Sequence, residues 1–168
     1  MRSQQFLNGI NDELQNRAFA LSAILRIANR VQGTQEYIFW SAYEKLERFN
    51  TAHYFAYAEK LGLDATPSFL TKAKASLISS TPSFLLDELL KLVYSKTKVY
   101  MEDLKQVHAQ GTEADREFLD YMLAQEQVQI ELMELAIKKQ YREIPPKIEQ
   151  FIQHYRDKEL VWRVFYCY

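Results

Sequence analysis

The sequence predicts an all-α protein that folds as one four-helix bundle. Its 168 residues include only four glycines and four prolines, which favours long uninterrupted elements over a turn-rich β fold. Four long segments repeat apolar residues with the 3.6-residue period of an amphipathic helix. A chain of this length buries roughly 70% of its unfolded surface in one core. We therefore expect a single helical domain over residues 1–168, with the bundle in 3–140 and a C-terminal helix and aromatic tail in 141–168.

The four segments are bounded by residues that end and begin helices. They cover about 3–32, 35–61, 83–110 and 113–140. The breaks are Gly33-Thr34, Gly62, Thr66-Pro67, Thr81-Pro82, Gly111-Thr112 and Pro145-Pro146. Glycine is favoured just after a helix, threonine just before one, and proline in a first turn. Each segment is therefore predicted to be one continuous helix.

The repeat also predicts which face of each helix is buried. The predicted core positions are Leu7, Ile10, Leu14, Leu21, Ile24, Ala28 and Val31 in the first helix; Trp40, Tyr43, Leu46, Asn50, His53, Tyr57 and Leu61 in the second; Leu89, Val93, Lys96, Tyr100, Leu104 and Val107 in the third; and Leu119, Met122, Glu126, Gln129, Met133 and Ala136 in the fourth. Most of these side chains are apolar. The polar exceptions, Asn50, Lys96, Glu126 and Gln129, need a separate explanation.

The lengths of the connections predict how the helices are joined. Tight turns at Gly33 and Gly111 make an antiparallel hairpin of the first two helices and another of the last two. About twenty residues separate the second and third helices, with room for a short helix near 68–78. A helix of about 28 residues is ~42 Å long, and a partly extended link of this size can cross that length. Short, long and short connections are typical of bundles with a single crossover.

The C-terminal stretch differs from the bundle. Pro145-Pro146 begins a short helix over about 147–156, and an apolar tail follows over 160–168. A free tail of this composition would favour aggregation, so it either docks on the bundle or forms a subunit interface. We expect Phe39, Trp40, Trp162 and Phe165 to form an aromatic surface for a homodimer or another protein partner.

Composition and charge exclude several classes of function. The net charge of −1, with both signs interspersed, leaves no basic footprint for nucleic acid. The single cysteine, Cys167, excludes an internal disulfide and a cysteine-based zinc cluster. No stretch approaches the ~20 apolar residues of a membrane span, and the N-terminus has no apolar signal segment. We expect a soluble, cytoplasmic protein.

Two short motifs lie on the predicted core faces of the second and fourth helices. Glu47-Arg48-Phe49-Asn50 and Glu126-Gln127-Val128-Gln129 each place a glutamate and an amide three residues apart, a spacing that points both side chains to one side of a helix. In four-helix proteins that bind two metals, two helices carry Glu-x-x-His in this way. An amide has no basic nitrogen lone pair, so it is a poor ligand for iron or manganese.

Folding the helices back at their turns predicts what lies level with these motifs. The first turn brings Arg17 level with Asn50, and the last turn brings Lys96 close to the level of Glu126. We therefore predict a vestigial site at mid-bundle. Its members are Glu47, Asn50, Glu126, Gln129, Lys96 and Arg17. Because a buried unpaired carboxylate is costly, we expect Arg17 to pair with Glu47. We expect Lys96 to pair with Glu126. The alternative is the crossed pairing, Arg17 with Glu126 and Lys96 with Glu47.

The motifs resemble the ferritin-like superfamily, which includes ferritins, bacterioferritins and rubrerythrins. The stretch 47–58, ERFNTAHYFAYA, is similar to the helices that carry a metal-ligating glutamate in that group, and 121–134, YMLAQEQVQIELME, is similar to its last bundle helix. The resemblance implies six ligands: a glutamate on helices one and three, and Glu-x-x-His on helices two and four. Only Glu47 and Glu126 carry over, because Asn50 and Gln129 replace the histidines. At the matching level the first helix offers Ala20 or Leu21, and the third offers Lys96 or Thr97.

Three interpretations of this layer are open: a dismantled ferritin-like site, a bundle with incidental polar core residues, and a site that still binds iron or manganese through altered ligands. The third would use Glu47 and Glu126 with His53, one turn beyond Asn50. Two functions follow. The first is a metal-free, non-catalytic interaction or regulatory protein that needs no cofactor. The second is a non-standard metal-dependent oxidoreductase or oxygenase that uses the two glutamates.

Overall fold

Six α-helices make up most of the described chain. The computed structural model describes residues 2–158, 160 and 161, except for the side chain of Leu70. The helices are α1 (Gln4–Arg30), α2 (Tyr37–Leu61), α3 (Phe69–Ser79), α4 (Leu86–Gln110), α5 (Arg116–Ile137) and α6 (Ile144–Tyr155), with single 3-10 turns at Ser83–Leu85, Glu113–Asp115 and Tyr141–Glu143. The all-α prediction is confirmed, and the four predicted long helices correspond to α1, α2, α4 and α5. None of the helices described is long and apolar enough to cross a membrane.

Local sequence explains where several helices begin and end. The Ser3 hydroxyl accepts a hydrogen bond from the backbone N–H of Phe6 at 3.1 Å and so caps the start of α1. Gly62 ends α2 in the left-handed conformation, with a φ of 68°. The last bundle helix is shorter than predicted, because Lys139 takes a φ of 58° and turns the chain away before α6.

Two hydrophobic clusters fix the directions of the four long helices. The first contains the end of α1, the start of α2, the start of α4 and the end of α5, together with α6. The second contains the start of α1, the end of α2, the end of α4 and the start of α5. It follows that α1 runs parallel to α5 and antiparallel to α2 and α4. Both hairpins, α1–α2 and α4–α5, are antiparallel as predicted.

The link between α2 and α4 crosses the length of the bundle, because α2 ends and α4 begins at opposite ends of it. The link contains α3, which packs along α1. At one end of α3, the Gln15 side chain of α1 accepts hydrogen bonds from the Ser68 N–H at 2.9 Å and the Thr71 hydroxyl at 2.8 Å. At the other end Arg30 donates to the Ser79 carbonyl at 2.7 Å. The predicted long link with its short helix is therefore present.

α6 covers one side of the bundle, where it packs on α2 and α5. Ile144 and Ile148 of α6 are buried in the first cluster. Phe39 and Trp40 lie in the same cluster, with only 1% and 5% of their surface exposed. The prediction that these two aromatic residues form a surface for a partner is therefore wrong, because they are buried in the core that α2 shares with α4, α5 and α6.

The predicted aromatic tail is described only at its beginning. Leu160 is buried in the second cluster, and Val161 packs against that cluster. Trp162 and Phe165, the other two members of the predicted partner surface, lie outside the described residues. Docking of the tail on the bundle thus has support from its first two residues.

Candidate functional site

A layer of buried polar side chains lies between the two hydrophobic clusters. All of them come from α1, α2 and α5, and each has at most 1% of its surface exposed. They are Glu13, Glu47, Asn50, Gln125, Glu126 and Gln129. The layer thus brings together the two glutamates and two amides singled out in the sequence, and adds Glu13 and Gln125.

Arg17 lies at the centre of this layer, with a side chain that is 11% exposed. Its Nη1 donates to Glu47 Oε1 at 2.8 Å. Its Nε lies 3.1 Å from Glu13 Oε1, an ion-pair contact that is not aligned as a hydrogen bond, and its Nη2 lies 3.2 Å from Glu126 Oε2. Each of the three guanidinium nitrogens therefore faces a different glutamate, and each glutamate comes from a different helix. We call these four residues the Arg17 cluster.

Three amide side chains connect the glutamates of α2 and α5. Gln129 Nε2 donates to Glu47 Oε1 at 2.8 Å and to Gln125 Oε1 at 2.6 Å. Asn50 donates to the same Gln125 oxygen at 3.0 Å. Gln125 Nε2 in turn donates to Glu126 Oε2 at 3.1 Å. The amides at the two histidine positions of the motif thus serve as hydrogen-bond donors inside the layer.

Four tyrosine hydroxyls donate into the layer from around it. They are those of Tyr43, Tyr54, Tyr100 and Tyr121. Tyr54 and Tyr100 donate to the two oxygens of Glu13, at 2.7 and 2.8 Å. The other two donate to the amide oxygens of Gln129, at 2.9 Å, and of Asn50. Burial raises the pKa of each hydroxyl above its ordinary value, so all four remain protonated donors.

The Arg17 cluster contains more acidic than basic groups. Three carboxyl groups surround one guanidinium, and within the described chain no other lysine or arginine forms an ion pair with them. Burial raises the pKa of Glu47 to about 7, against the opposing effect of Arg17, and burial also raises the pKa of Glu126. Glu47 Oε2 is buried and has no hydrogen-bond partner among the residues that the structure describes. Because buried uncompensated charge is costly, the cluster holds a proton near neutral pH.

Lys96, the remaining predicted member of the layer, does not belong to it. Its side chain is exposed, and Glu126 pairs with Arg17 instead. The inward face of α4 passes through Thr97, which is half-buried, so the neighbouring Lys96 points to the side. The side chain that α4 sends to the layer is Tyr100. The prediction of a Lys96–Glu126 pair is therefore wrong.

His53 packs outside the Arg17 cluster. Its ring lies edge-on to the rings of Phe49 and Tyr121, with centroid distances of 4.9 and 5.0 Å. Burial lowers the pKa of this histidine. Among the described residues, no group of three or more histidine, cysteine, aspartate or glutamate side chains is arranged to hold a metal ion. His53 is therefore packed between two aromatic rings and takes no part in the ion pairs of the Arg17 cluster.

The residues at the centre do not fit the iron or manganese that the ferritin-like resemblance implies. Amides occupy both histidine positions of the motif. The Arg17 guanidinium also lies within 3.2 Å of an oxygen of each of the three glutamates. A divalent cation in the same place would be repelled by this fixed charge, and it would have to displace the guanidinium from its carboxylates.

Glu13 and Gln125 were not predicted from the sequence as members of the buried layer, although a local spacing indicates each of them. Glu13 lies four residues before Arg17, which is the spacing of an ion pair on one face of a helix. Gln125 lies four residues before Gln129 and bonds to it in the same way. Both neighbour a predicted core position, and a polar residue beside such a position is more often solvated than buried.

A cavity of about 310 Å³ opens to the surface beside the Arg17 cluster. It lies between α1, α2 and the beginning of the crossover. Its apolar lining consists of Leu14, Ala18, Leu21, Leu25, Phe55, Ala65 and Pro67. Arg17 and Tyr54 also form part of the wall, so the cavity connects the surface with the edge of the polar layer.

No family model matches this chain, and neither a curated protein nor a solved structure matches it.

Proposed function

We propose that this chain is a ferritin-like bundle without a functional di-iron centre, and that it acts as a non-catalytic interaction or regulatory protein. The main support for this proposal is the Arg17 cluster, in which the Arg17 guanidinium lies among the carboxylates that would otherwise bind two metal ions. The proposal gives the buried charge at mid-bundle a structural role and places the protein's activity on its surface.

Two features support the ferritin-like part of the proposal. The first is the connectivity of two antiparallel hairpins joined by one long crossover, which is shared by ferritin-like bundles. The second is the meeting of Glu47 and Glu126 at one depth, where both contact the same guanidinium. These are the two positions at which the motif of that superfamily places a glutamate on its second and fourth helices.

Large exposed apolar side chains support the interaction part of the proposal. Phe69 and Leu77 on α3 are 88% and 76% exposed, and Phe84 just before α4 is 82% exposed. On α4, Leu92 and Val99 are 54% and 70% exposed, and their spacing of seven residues places them on one face of the helix. Apolar side chains exposed on one face of a helix, as Leu92 and Val99 are, are typical of surfaces that meet another protein.

A second copy of the chain is the partner that we propose, paired through the outer face of α4. This face is uncovered among the described residues, because α4 packs on α5 and α1. Glu88 and Lys96 lie one turn before and one turn after Leu92, so a two-fold axis at Leu92 brings Glu88 of each copy level with Lys96 of the other. Two-fold dimers are the commonest oligomers. A strip one helix long and about 10–12 Å wide is smaller than the ~800 Å² per partner of a stable interface, so the dimer should be weak.

Sedimentation equilibrium over a range of protein concentrations tests this function. We expect a concentration-dependent dimer that Leu92→Asp with Val99→Asp abolishes, while Phe55→Asp, at a side chain 53% exposed on α2, leaves it intact. Glu88→Lys should weaken the dimer, and adding Lys96→Glu should restore it. A wild-type chain that is monomeric at every concentration contradicts the homodimer, and so does a dimer that survives the double aspartate variant.

The competing function is a metal-dependent oxidoreductase or oxygenase that uses Glu47 and Glu126. Elemental analysis after anaerobic loading with Fe²⁺ or Mn²⁺ separates the two. The proposed function predicts no metal retained after desalting. Near-stoichiometric metal that Glu47→Ala and Glu126→Ala remove would contradict it and favour the oxidoreductase.

A further inference from the structure

We infer that the Arg17 guanidinium replaces the metal centre as a built-in cation, in a cage that places one carboxylate at ion-pair distance from each of its three nitrogens and does not fit a metal ion. The inference rests on the proposed function, a ferritin-like bundle without a di-iron centre. It adds what holds the centre of that bundle together.

The cage has the dimensions of a guanidinium ion. Oxygens of Glu13, Glu47 and Glu126 lie 3.1, 2.8 and 3.2 Å from its three nitrogens. With C–N bonds of about 1.3 Å, these oxygens lie about 4 Å from the central carbon. Small divalent metals bind oxygen at about 2.0–2.2 Å. A metal ion at the centre would therefore require each carboxylate to move inward by about 2 Å.

The surrounding hydrogen bonds keep the carboxylates at these positions. Both oxygens of Glu13 accept from tyrosine hydroxyls, those of Tyr54 and Tyr100. On the other two helices, an amide holds each glutamate: Gln129 donates to the oxygen of Glu47 that Arg17 also binds, and Gln125 donates to Glu126. An inward shift of the carboxylates would break these bonds, so the cage remains at the size that the guanidinium sets.

The neighbouring cavity makes the cage accessible to a test molecule. Arg17 forms part of the cavity wall, so removing its side chain joins the cage to a space of about 310 Å³ that opens to the surface. A small cation supplied in solution can then pass through this cavity to the three carboxylates.

Chemical rescue of the Arg17→Ala variant tests the inference. The substitution leaves three buried carboxyl groups without their cation, which should raise the unfolding equilibrium constant by about a hundredfold or more. Ethylguanidinium contains the atoms that the substitution removes. At millimolar concentration it should raise the melting temperature of the variant along a saturating curve. Ethylammonium carries the same charge without the planar fork, and at equal ionic strength it should give a much smaller rise.

The control is Arg48→Ala, because Arg48 pairs with Glu44 on the surface of α2 and is 60% exposed. Neither this variant nor the wild type should respond to ethylguanidinium more than to ethylammonium. Rescue of Arg17→Ala by ethylammonium or by Mn²⁺ to the same extent as by ethylguanidinium overturns the inference. A folded Arg17→Ala that none of the three cations stabilises also overturns it.

If Arg17→Ala does not fold alone, its helical circular dichroism should appear on adding ethylguanidinium and not on adding ethylammonium. A second variant, Arg17→Lys, also tests the inference. Arg17→Lys retains the charge, but one ammonium cannot present a separate nitrogen to each carboxylate. We expect at least about a tenfold loss in its folding equilibrium constant. An Arg17→Lys protein as stable as the wild type overturns the inference.

The outcomes distinguish this inference from the proposed function. Metal retained by the wild-type protein contradicts both. A wild-type protein free of metal, together with an Arg17→Ala variant that Mn²⁺ stabilises as well as ethylguanidinium does, contradicts the inference alone. A failure to dimerise contradicts the interaction role and leaves the guanidinium cage unaffected.

Discussion

Among single residues, Glu47 is subject to two opposing effects, burial and the charge of Arg17. One oxygen accepts from Arg17 and Gln129, both at 2.8 Å, while the other is buried and finds no partner in the described part of the chain. Burial raises its pKa, Arg17 lowers it, and burial outweighs Arg17, so that the pKa lies at about 7 where 4.5 is usual. The folded protein therefore keeps a proton among the carboxyl groups of the Arg17 cluster over a pH range in which the unfolded chain has released it.

This proton makes the stability of the fold depend on pH. Between the usual pKa of 4.5 and the raised value of about 7, the folded state binds more protons than the unfolded state. The free energy of unfolding therefore falls as pH rises through this window, by about 3 kcal/mol for Glu47, and changes little from this group above it. Chemical denaturation at a series of pH values from 4 to 8.5 measures the fall.

The Glu47→Gln variant isolates this contribution, because glutamine does not titrate. As pH rises from 5 to 8, the unfolding free energy of the wild type should fall relative to that of the variant. Glu117→Gln on the exposed face of α5 is the matched control and should show no such trend. A difference between wild type and Glu47→Gln that is constant over this range contradicts the raised pKa.

At the scale of helices and turns, the N-terminus of α1 is fastened to the turn between α4 and α5. Arg2 donates to both oxygens of Asp115, with the shortest bond at 2.7 Å. The Thr112 hydroxyl donates to the same carboxylate at 2.6 Å. Although burial raises the pKa of Asp115, these hydrogen bonds hold it well below its usual range. The carboxylate is therefore charged, buried and dependent on its donors.

Removing one donor should weaken this junction. We expect Arg2→Ala to lower the free energy of unfolding by about 1.5–3 kcal/mol, because a buried carboxylate loses charged hydrogen bonds. Hydrogen exchange should quicken first at the α4–α5 turn. Arg142→Ala, at an exposed position, should change stability by no more than about 0.5 kcal/mol. Equal effects of the two substitutions would contradict the role given to Arg2.

The helices also show which features the sequence could predict. Periodicity and turn residues located all four long helices, because these signals are local. The same periodicity placed Lys96 on the core face, where the structure has Thr97, since a shift of one residue turns a side chain by about 100°. Burial of Phe39 and Trp40 was not predictable from α2 alone, because their cluster is completed by residues of α4, α5 and α6, which are distant in sequence.

At the scale of the whole molecule, the connectivity followed from the lengths of the links. Two tight turns require hairpins, and a link of about twenty residues can cross a bundle. The polar layer was only partly predictable, because its two glutamates and two amides lie on motifs. The sequence offers several cations that could join them, and the motifs do not single out Arg17. Glu13 belongs to the layer because the long side chain of Arg17 contacts it along α1 while also contacting Glu47 and Glu126 across the bundle.

Arg17 balances the glutamates of α2 and α5 at the centre of the bundle. A mutant cycle measures this coupling directly. Arg17→Met alone should lower the free energy of unfolding by about 3–5 kcal/mol, because it leaves buried carboxyl groups without their cation. Adding Glu47→Gln and Glu126→Gln to Arg17→Met should recover most of the loss. Losses that simply add across the cycle would show that the guanidinium and these carboxyl groups do not stabilise one another, and would contradict the account.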